Sequence, residues 1–429
     1  MTSKDEVADA VADAHRREWG FVLAATARVA GSIDIAEECV QDAYGAALDA
    51  WLRDGVPSSP GAWLTTTARR RALDVLRRDQ TLRRKLPLLV EPVDAEPAPG
   101  EDEPETIPDD RLRLVFTCCH PALSREAQVA LTLRLVCGLS TDDIARAFLV
   151  PEATMAARVT RAKKKIAAAR IPYRVPEEAD LPERLDAVLT VVHLVFTTGH
   201  VAPSGDVLVR SDLVERAVDL ARVLRTLMPD EREVAGLLAL MLLTDARRAT
   251  RTSPDGGLVL LEDQDRTRWD AAKLAEGVAL ARESAHGRPG RFVLQAAVAA
   301  EHGRARTYDE TDWERILDLY DALLTVWPSP VVALNRVVAV LMVRGPAEAL
   351  ADLAAVEDDG RMAGYRYLAA TRADLLRRLG RAPEAAAAYQ EALELSDNAA
   401  EKAYLSGRLA EVSGRPPRSP SAAGTSGPR

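Results

Sequence analysis

Residues Ser140 to Ile166 read Ser-Thr-Asp-Asp-Ile-Ala-Arg-Ala-Phe-Leu-Val-Pro-Glu-Ala-Thr-Met-Ala-Ala-Arg-Val-Thr-Arg-Ala-Lys-Lys-Lys-Ile. Ser140 and Asp143 form a helix-start signature, in which the hydroxyl caps the helix and the carboxylate reaches back. Ile144, Ala145 and Phe148 then share one face at helical spacing. Pro151 is excluded from a helix interior but suits a first turn, so a second helix begins there. Met155, Val159, Ala162 and Ile166 supply its apolar stripe. Two short helices joined by a turn of about four residues make a helix-turn-helix.

With Met155, Val159 and Ile166 pointing inward, Ala153, Ala157, Thr160, Arg161 and Lys164 point most nearly outward, flanked by Arg158 and Lys165. Small residues alternating with cations suit close approach to bases and phosphates in a DNA major groove. The bland alternative is a helical hairpin with a solvated basic face. The rest of the chain must separate the two.

Outward from this stretch, the totals set bounds. At 429 residues the chain has room for two or three domains. Apolar residues make up 47% but aromatics only 4%, so the core must be Ala, Leu and Val, as in close-packed helices. Net charge is −9, so attraction to nucleic acid has to come from local basic clusters. No apolar run approaches a membrane span and Met1 to Asp13 lacks a signal-peptide pattern, so a cytoplasmic protein is expected. Cys118-Cys119-His120 looks metal-like, yet Cys39 and Cys137 add no ligand pair at zinc spacing. Buried thiols are the expectation, with no metal or other cofactor.

Upstream, Glu6 to Val29 reads as one helix and Gly31-Ser32 breaks it. A second helix runs from Asp34 to Trp51, with Val40, Tyr44, Ala47, Leu48 and Trp51 as its apolar stripe. Its other side carries Glu37, Glu38, Gln41, Asp42 and Asp49, either solvated or docked on a basic partner. Residues 62–78 form a third helix in which Leu64, Ala68, Leu73 and Leu76 can face a core. Arg69, Arg70, Arg71, Arg77 and Arg78 give it a positive stripe, extended by Arg83, Arg84 and Lys85. So many arginines with few compensating acids fit phosphate contacts. Between Glu91 and Asp110 acids alternate with prolines and no cation appears, which reads as a disordered or extended linker.

Asp34-Ile-Ala-Glu-Glu-Cys-Val-Gln-Asp-Ala-Tyr44, the arginine helix, the acidic linker and the helix-turn-helix together resemble bacterial sigma factors of the compact extracytoplasmic-function group. The resemblance covers roughly residues 1–170 and rests on four motifs in order. It implies that Asp34, Glu37, Glu38, Gln41 and Asp42 bind the clamp of core RNA polymerase. It also implies that Arg69 to Arg78 meet the minus-ten promoter element. Residues Glu152 to Lys165 correspond to the helix that reads the minus-thirty-five element, which brings in Thr154, Ala157, Arg158, Thr160, Arg161, Lys164 and Lys165. Leu149 departs from the family pattern, where a turn glycine is common; a positive φ would strain Leu, so a different turn is expected.

Downstream of Leu181 helix follows helix: Leu185 to Phe196, Asp212 to Met228, Glu231 to Ala249, Trp269 to Ser284 and Arg291 to Ala300. The break at Ser253 to Gly257 precedes Leu258 to Leu261, a candidate hairpin. The polar run Leu261 to Arg266 before Trp269 suits a buried network or cap better than a ligand site. With no nucleophile–base pair and no glycine-rich phosphate loop, no enzyme is expected. Arg344-Gly-Pro-Ala-Glu-Ala-Leu350 recurs as Leu379-Gly-Arg-Ala-Pro-Glu-Ala-Ala386, a period resembling tetratricopeptide repeats. Phe116 to Leu123 and Ala187 to Gly199 likewise resemble the sigma subgroup that carries such a C-terminal extension, which is thought to regulate the factor.

The expectation is therefore an all-α, multidomain sigma factor that catalyses nothing itself. Its parts are a region 2 domain (1–86), an acidic linker (87–110), a region 4 helix-turn-helix domain (111–172), a helical extension with repeats (173–414) and a disordered tail (415–429). Its partners would be core RNA polymerase, promoter DNA and a protein or small molecule held by the extension, with no membrane. The rival is a helix-turn-helix regulator with a ligand- or protein-sensing helical domain.

Overall fold

The structure is a computed structural model and describes residues 3–85, 110–148, 150–177, 179–200, 211–254 and 256–414. The acidic linker up to residue 109, Leu149, the tail from 415 and the side chains of Arg83, Arg84 and Lys85 lie outside the described residues. Regular structure among the described residues is helical, apart from one antiparallel bridge between Thr252 and Leu258. The fold is all-α. The chain forms two compact units, residues 1–195 and 196–429.

In the first unit α1 (Lys4–Ala30), α2 (Ile33–Asp54) and α3 (Pro60–Lys85) pack pairwise as a three-helix bundle. Local chemistry sets their ends. Ser3 and Glu6 form a reciprocal capping box, Gly31 closes α1 at φ +63°, and Ser32 caps α2. Trp19, Leu23, Val40, Tyr44, Trp51 and Leu64 are buried between the helices. The Trp51 and Trp63 rings meet edge to face, 5.8 Å apart. Two residues expected inside lie outside: Leu48 is 46% exposed and Leu73 42%. Sitting at the edges of their stripes, they are left uncovered because the three-helix contact is narrower than the sequence pattern.

α4 (Asp110–Cys118), α5 (Arg125–Leu131), α6 (Thr141–Ala147) and α7 (Glu152–Ala168) follow. A π-helical turn, Thr132–Val136, continues α5. α4 and this π turn pack directly on α1. Gly20 of α1 makes that approach feasible, because a Cβ there would collide with the Val136 carbonyl oxygen. Gly138 works from the other side: its φ is +71°, and a Cβ would sit 2.9 Å from the Trp19 ring. Tyr173 ties the end of the module down, its hydroxyl bonding to the carbonyls of Ala24 and Asp110 at 3.0 and 3.2 Å. α8 (Leu181–His200) begins against the same unit, with Arg184 donating to the Phe116 carbonyl at 2.8 Å.

The second unit starts with α9 (Ser211–Leu227), α10 (Arg232–Asp245), α11 (Ala271–Ser284) and α12 (Arg291–Arg304). α10 is apolar nearly all round and sits centrally, packed on α9, α11 and α12. The polar run behaves as a staple. Arg266 donates to the carbonyls of His302 and Ala305 and to the Thr311 hydroxyl, while Trp269 Nε1 donates to Thr250.

α13 (Trp313–Val326), α14 (Pro330–Arg344), α15 (Pro346–Glu357), α16 (Arg366–Arg378), α17 (Ala382–Leu395) and α18 (Ala399–Val412) then stack in order, each on its predecessor. Both copies of the sequence repeat fall at the same place, a helix end with a positive-φ glycine (Gly345, Gly380) and a proline opening the next helix.

Candidate functional site

The helix-turn-helix is α6 and α7. Ser140 Oγ accepts from the Asp143 N–H at 3.0 Å and donates to the Asp143 carboxylate at 2.6 Å, so the box closes through side chains. Pro151 is the N-cap of α7, and Met155, Val159, Ala162 and Ile166 are its buried face. Thr154, Ala157, Thr160, Arg161, Lys164 and Lys165 are exposed, and Arg158 is half-buried. A shallow groove lined by Arg158, Arg161 and Lys165 runs beside the start of α5. The structure thus gathers small and cationic side chains on one accessible helix face, a geometry suited to base edges and phosphates.

On α3, Arg69, Arg70, Arg77 and Arg78 are exposed, while Arg71 is half-buried and bridges Asp42 of α2 at 2.6 Å. Four of the five arginines therefore project from the bundle as a charged row.

The acidic set on α2 divides. Glu38 and Gln41 are exposed, and Asp42 is exposed but tied to Arg71. Glu37 is buried, 7% exposed, and its carboxylate accepts from Arg134 at 2.6 Å and Lys163 at 2.9 Å. Lys163 also reaches Asp34 at 2.6 Å. Lys163 belongs to α7, on the side opposite the exposed cations, so α7 grips α2 with its inner face. This double bridge holds Lys163 charged: burial pulls its pKa down, but hydrogen bonds to Asp34 and Glu37 leave it raised overall. Arg28 and Asp110 add a looser pair at 3.5 Å.

Leu48, expected on the apolar stripe, and Leu52, not singled out in the sequence, both lie exposed on α2. Asp34, Glu38, Gln41, Gly45, Leu48 and Leu52 are all exposed and recur at helical spacing on one face of α2. Their signal was present in the spacing: Leu48 stands seven residues after Gln41, on the acidic face as much as the apolar one.

All four cysteines are buried and none forms a disulfide. Burial pushes the Cys119 thiol up to about 11, and its Sγ lies 3.5 Å from Thr132 Oγ1. Among the described residues no cluster of three or more His, Cys, Asp or Glu is placed to hold a metal. No helix among them is long and apolar enough to cross a membrane.

Comparison with known proteins agrees with this geometry. Residues 15–81 match the family described as Sigma-70 region 2, which spans the three-helix bundle. Residues 113–166 match Sigma-70, region 4, a stretch that ends within α7. Residues 184–285 match a family of unknown function, DUF6596. An uncharacterized protein of Rhizobium meliloti (strain 1021) is 43% identical over 421 residues, covering 97% of this chain and 98% of that protein. A free-standing helix-turn-helix regulator has no use for a region 2 bundle. The chain belongs to the extracytoplasmic-function sigma factors of RNA polymerase, in the form that continues into a C-terminal extension, and it serves promoter recognition.

Proposed function

We propose that this sigma factor rests in a closed form, in which its own region 4 occupies part of the surface that core polymerase uses. The single observation carrying this reading is the buried Glu37 carboxylate, clasped by Arg134 and Lys163. In the assignment offered here, the α2 face from Asp34 to Leu52 docks on the polymerase, its acids steering and its leucines providing apolar contact. Arg69, Arg70, Arg77 and Arg78 engage the minus-ten element, and the outward face of α7 engages the minus-thirty-five element. Docking then exchanges Lys163 and Arg134 for cations of the polymerase. The factor works in the cytoplasm and carries out no chemistry of its own. The extension governs how readily it works, and its stacked helices are read here as tetratricopeptide-like.

Titration of core polymerase with full-length protein and with Lys163→Ala tests the closed form. Removing one partner leaves Glu37 buried with less compensation, a change that destabilises such pairs by about 3–5 kcal/mol. The variant should bind core polymerase at least about tenfold more tightly, because less of the free protein is held out of the competent state. Equal or weaker binding would refute the closed form.

A further inference from the structure

α10, α12, α13 and α14 enclose a cavity of about 330 Å³ in the second unit. Its wall is mixed, with Leu240, Leu243, Val298 and Leu323 forming an apolar part beside a polar one. Into it Arg247 brings a guanidinium whose Nε is buried and unbonded, and the side chain has no hydrogen-bond or ion-pair partner among the described residues. A buried, unpaired cation is costly, by several kcal/mol in general. The nearest carboxylate in sequence, Asp245, is already used: it takes Arg248 at 2.6 Å and Lys273 at 2.7 Å. Among the described residues no Asp or Glu lines the cavity.

The other polar groups of the wall are neutral and point the same way. His302 lines the cavity with its Nδ1 buried and unbonded. Burial, reinforced by Arg247 and Arg266, pushes its pKa down to about 4, so the ring is uncharged at neutral pH. Tyr320, raised to about 12 by burial, keeps its hydroxyl proton. Arg247 is itself lowered to about 10, first by burial and then by Arg251, yet stays protonated. A neighbouring cavity of about 350 Å³ shows the contrast. There Arg366 meets Glu401 at 2.8 Å and Arg378 meets Asp374 at 2.7 Å, so its charges are mutually compensated.

We infer that the Arg247 cavity is a binding site for a small organic carboxylate with an apolar body. The carboxylate would take the guanidinium in a two-pronged, charge-assisted pair, with Tyr320 donating alongside. The hydrocarbon part would lie against the leucines and Val298. The size fits, since ligand pockets begin at about 300 Å³. This site is independent of the closed form proposed above.

The test uses the full-length protein and calorimetric titration with phenylacetate, benzoate and isovalerate. Phenylacetamide, phenyl phosphate and inorganic phosphate serve as comparison ligands. At least one carboxylate should bind saturably and raise the melting temperature, and phenylacetamide should bind at least about tenfold more weakly than phenylacetate. Arg247→Met should weaken the carboxylate at least about tenfold while leaving the ligand-free melting temperature equal or higher, because an unpaired buried charge is gone. Arg247→Lys keeps the charge without the fork and should bind with intermediate affinity, and it serves as the readout if the Met variant fails to fold. Absence of binding by all three carboxylates would overturn the inference. So would equal binding of acid and amide, unchanged affinity in the Arg247 variants, or a preference for the phosphates.

Discussion

Lys163 Nζ lies 2.9 Å from the Glu37 carboxylate, joining the inner face of α7 to α2. In the closed form proposed above, one side chain thus ties together two surfaces that a working sigma factor would use separately. The outer face of α7 stays exposed while its inner face meets α2.

Two glycines set the closeness of this packing, and substituting them should loosen it. Gly20→Ala would drive a methyl group into the Val136 carbonyl, and Gly138→Ala would strain a φ of +71° against the Trp19 ring. Overpacking of this kind costs about 1–3 kcal/mol. Each variant should keep its helicity, melt at a lower temperature and bind core polymerase more tightly than the parent. Unchanged melting and unchanged affinity would show that α1 and the π turn are not in contact in solution.

Glu38→Lys should weaken core binding without unfolding the protein, since Glu38 is exposed on α2. It is a cleaner probe than Asp42, whose reversal would also face Arg71 at 2.6 Å. Pull-down with core polymerase checks this. Leu48→Ser, on the same face, should weaken docking by about 1–2 kcal/mol through lost apolar contact.

Arg161→Ala should impair promoter-specific transcription and leave core binding intact. If Arg161 meets a phosphate, the slope of binding against salt should fall by about one unit; if it meets a base, specificity should relax at one position at a loss of about 1–3 kcal/mol. Run-off transcription and salt titration distinguish the two. Full activity in the variant would count against the recognition helix.

The second unit should lose stability in mild acid. His302 is lowered to about 4 and His200 to about 2, in both cases mainly by burial. An unfolded histidine titrates near 6.5, so below that pH the unfolded chain binds more protons than the folded one. Stability then falls as pH drops from about 6.5 toward 4, by up to about 1.4 kcal/mol per pH unit for each histidine. Urea melts at pH 7 and pH 5 should show the loss, and His302→Gln should reduce it. A pH-independent midpoint would mean these rings are hydrated in the folded protein.

Much of this architecture was legible in the sequence, because local periodicity and capping are local physics. The stripe Met155, Val159, Ala162 and Ile166, the Ser140 cap and the Pro151 start can be read without tertiary knowledge. The exposure of Leu73 could not, since exposure at the edge of a stripe depends on how wide the neighbouring helix is. The Lys163–Glu37 contact spans 126 positions, and in sequence Lys163 is one of three consecutive lysines. Only the fold turns it inward. Arg247 stands beside Arg248 in the sequence, yet Asp245 pairs with Arg248 and Lys273 and leaves Arg247 facing the cavity.

Whether the free factor is closed is most directly measured as a distance between its two promoter-binding parts. Thr66 on α3 and Thr160 on α7 are both exposed and can carry spin labels on introduced cysteines, the four native thiols being buried. Pulsed dipolar spectroscopy of the full-length protein should give one narrow distance when it is free and a longer one with core polymerase, with Lys163→Ala shifted toward the longer distance before polymerase is added. A broad or already long distribution in the free protein, unchanged by polymerase, would contradict the closed form.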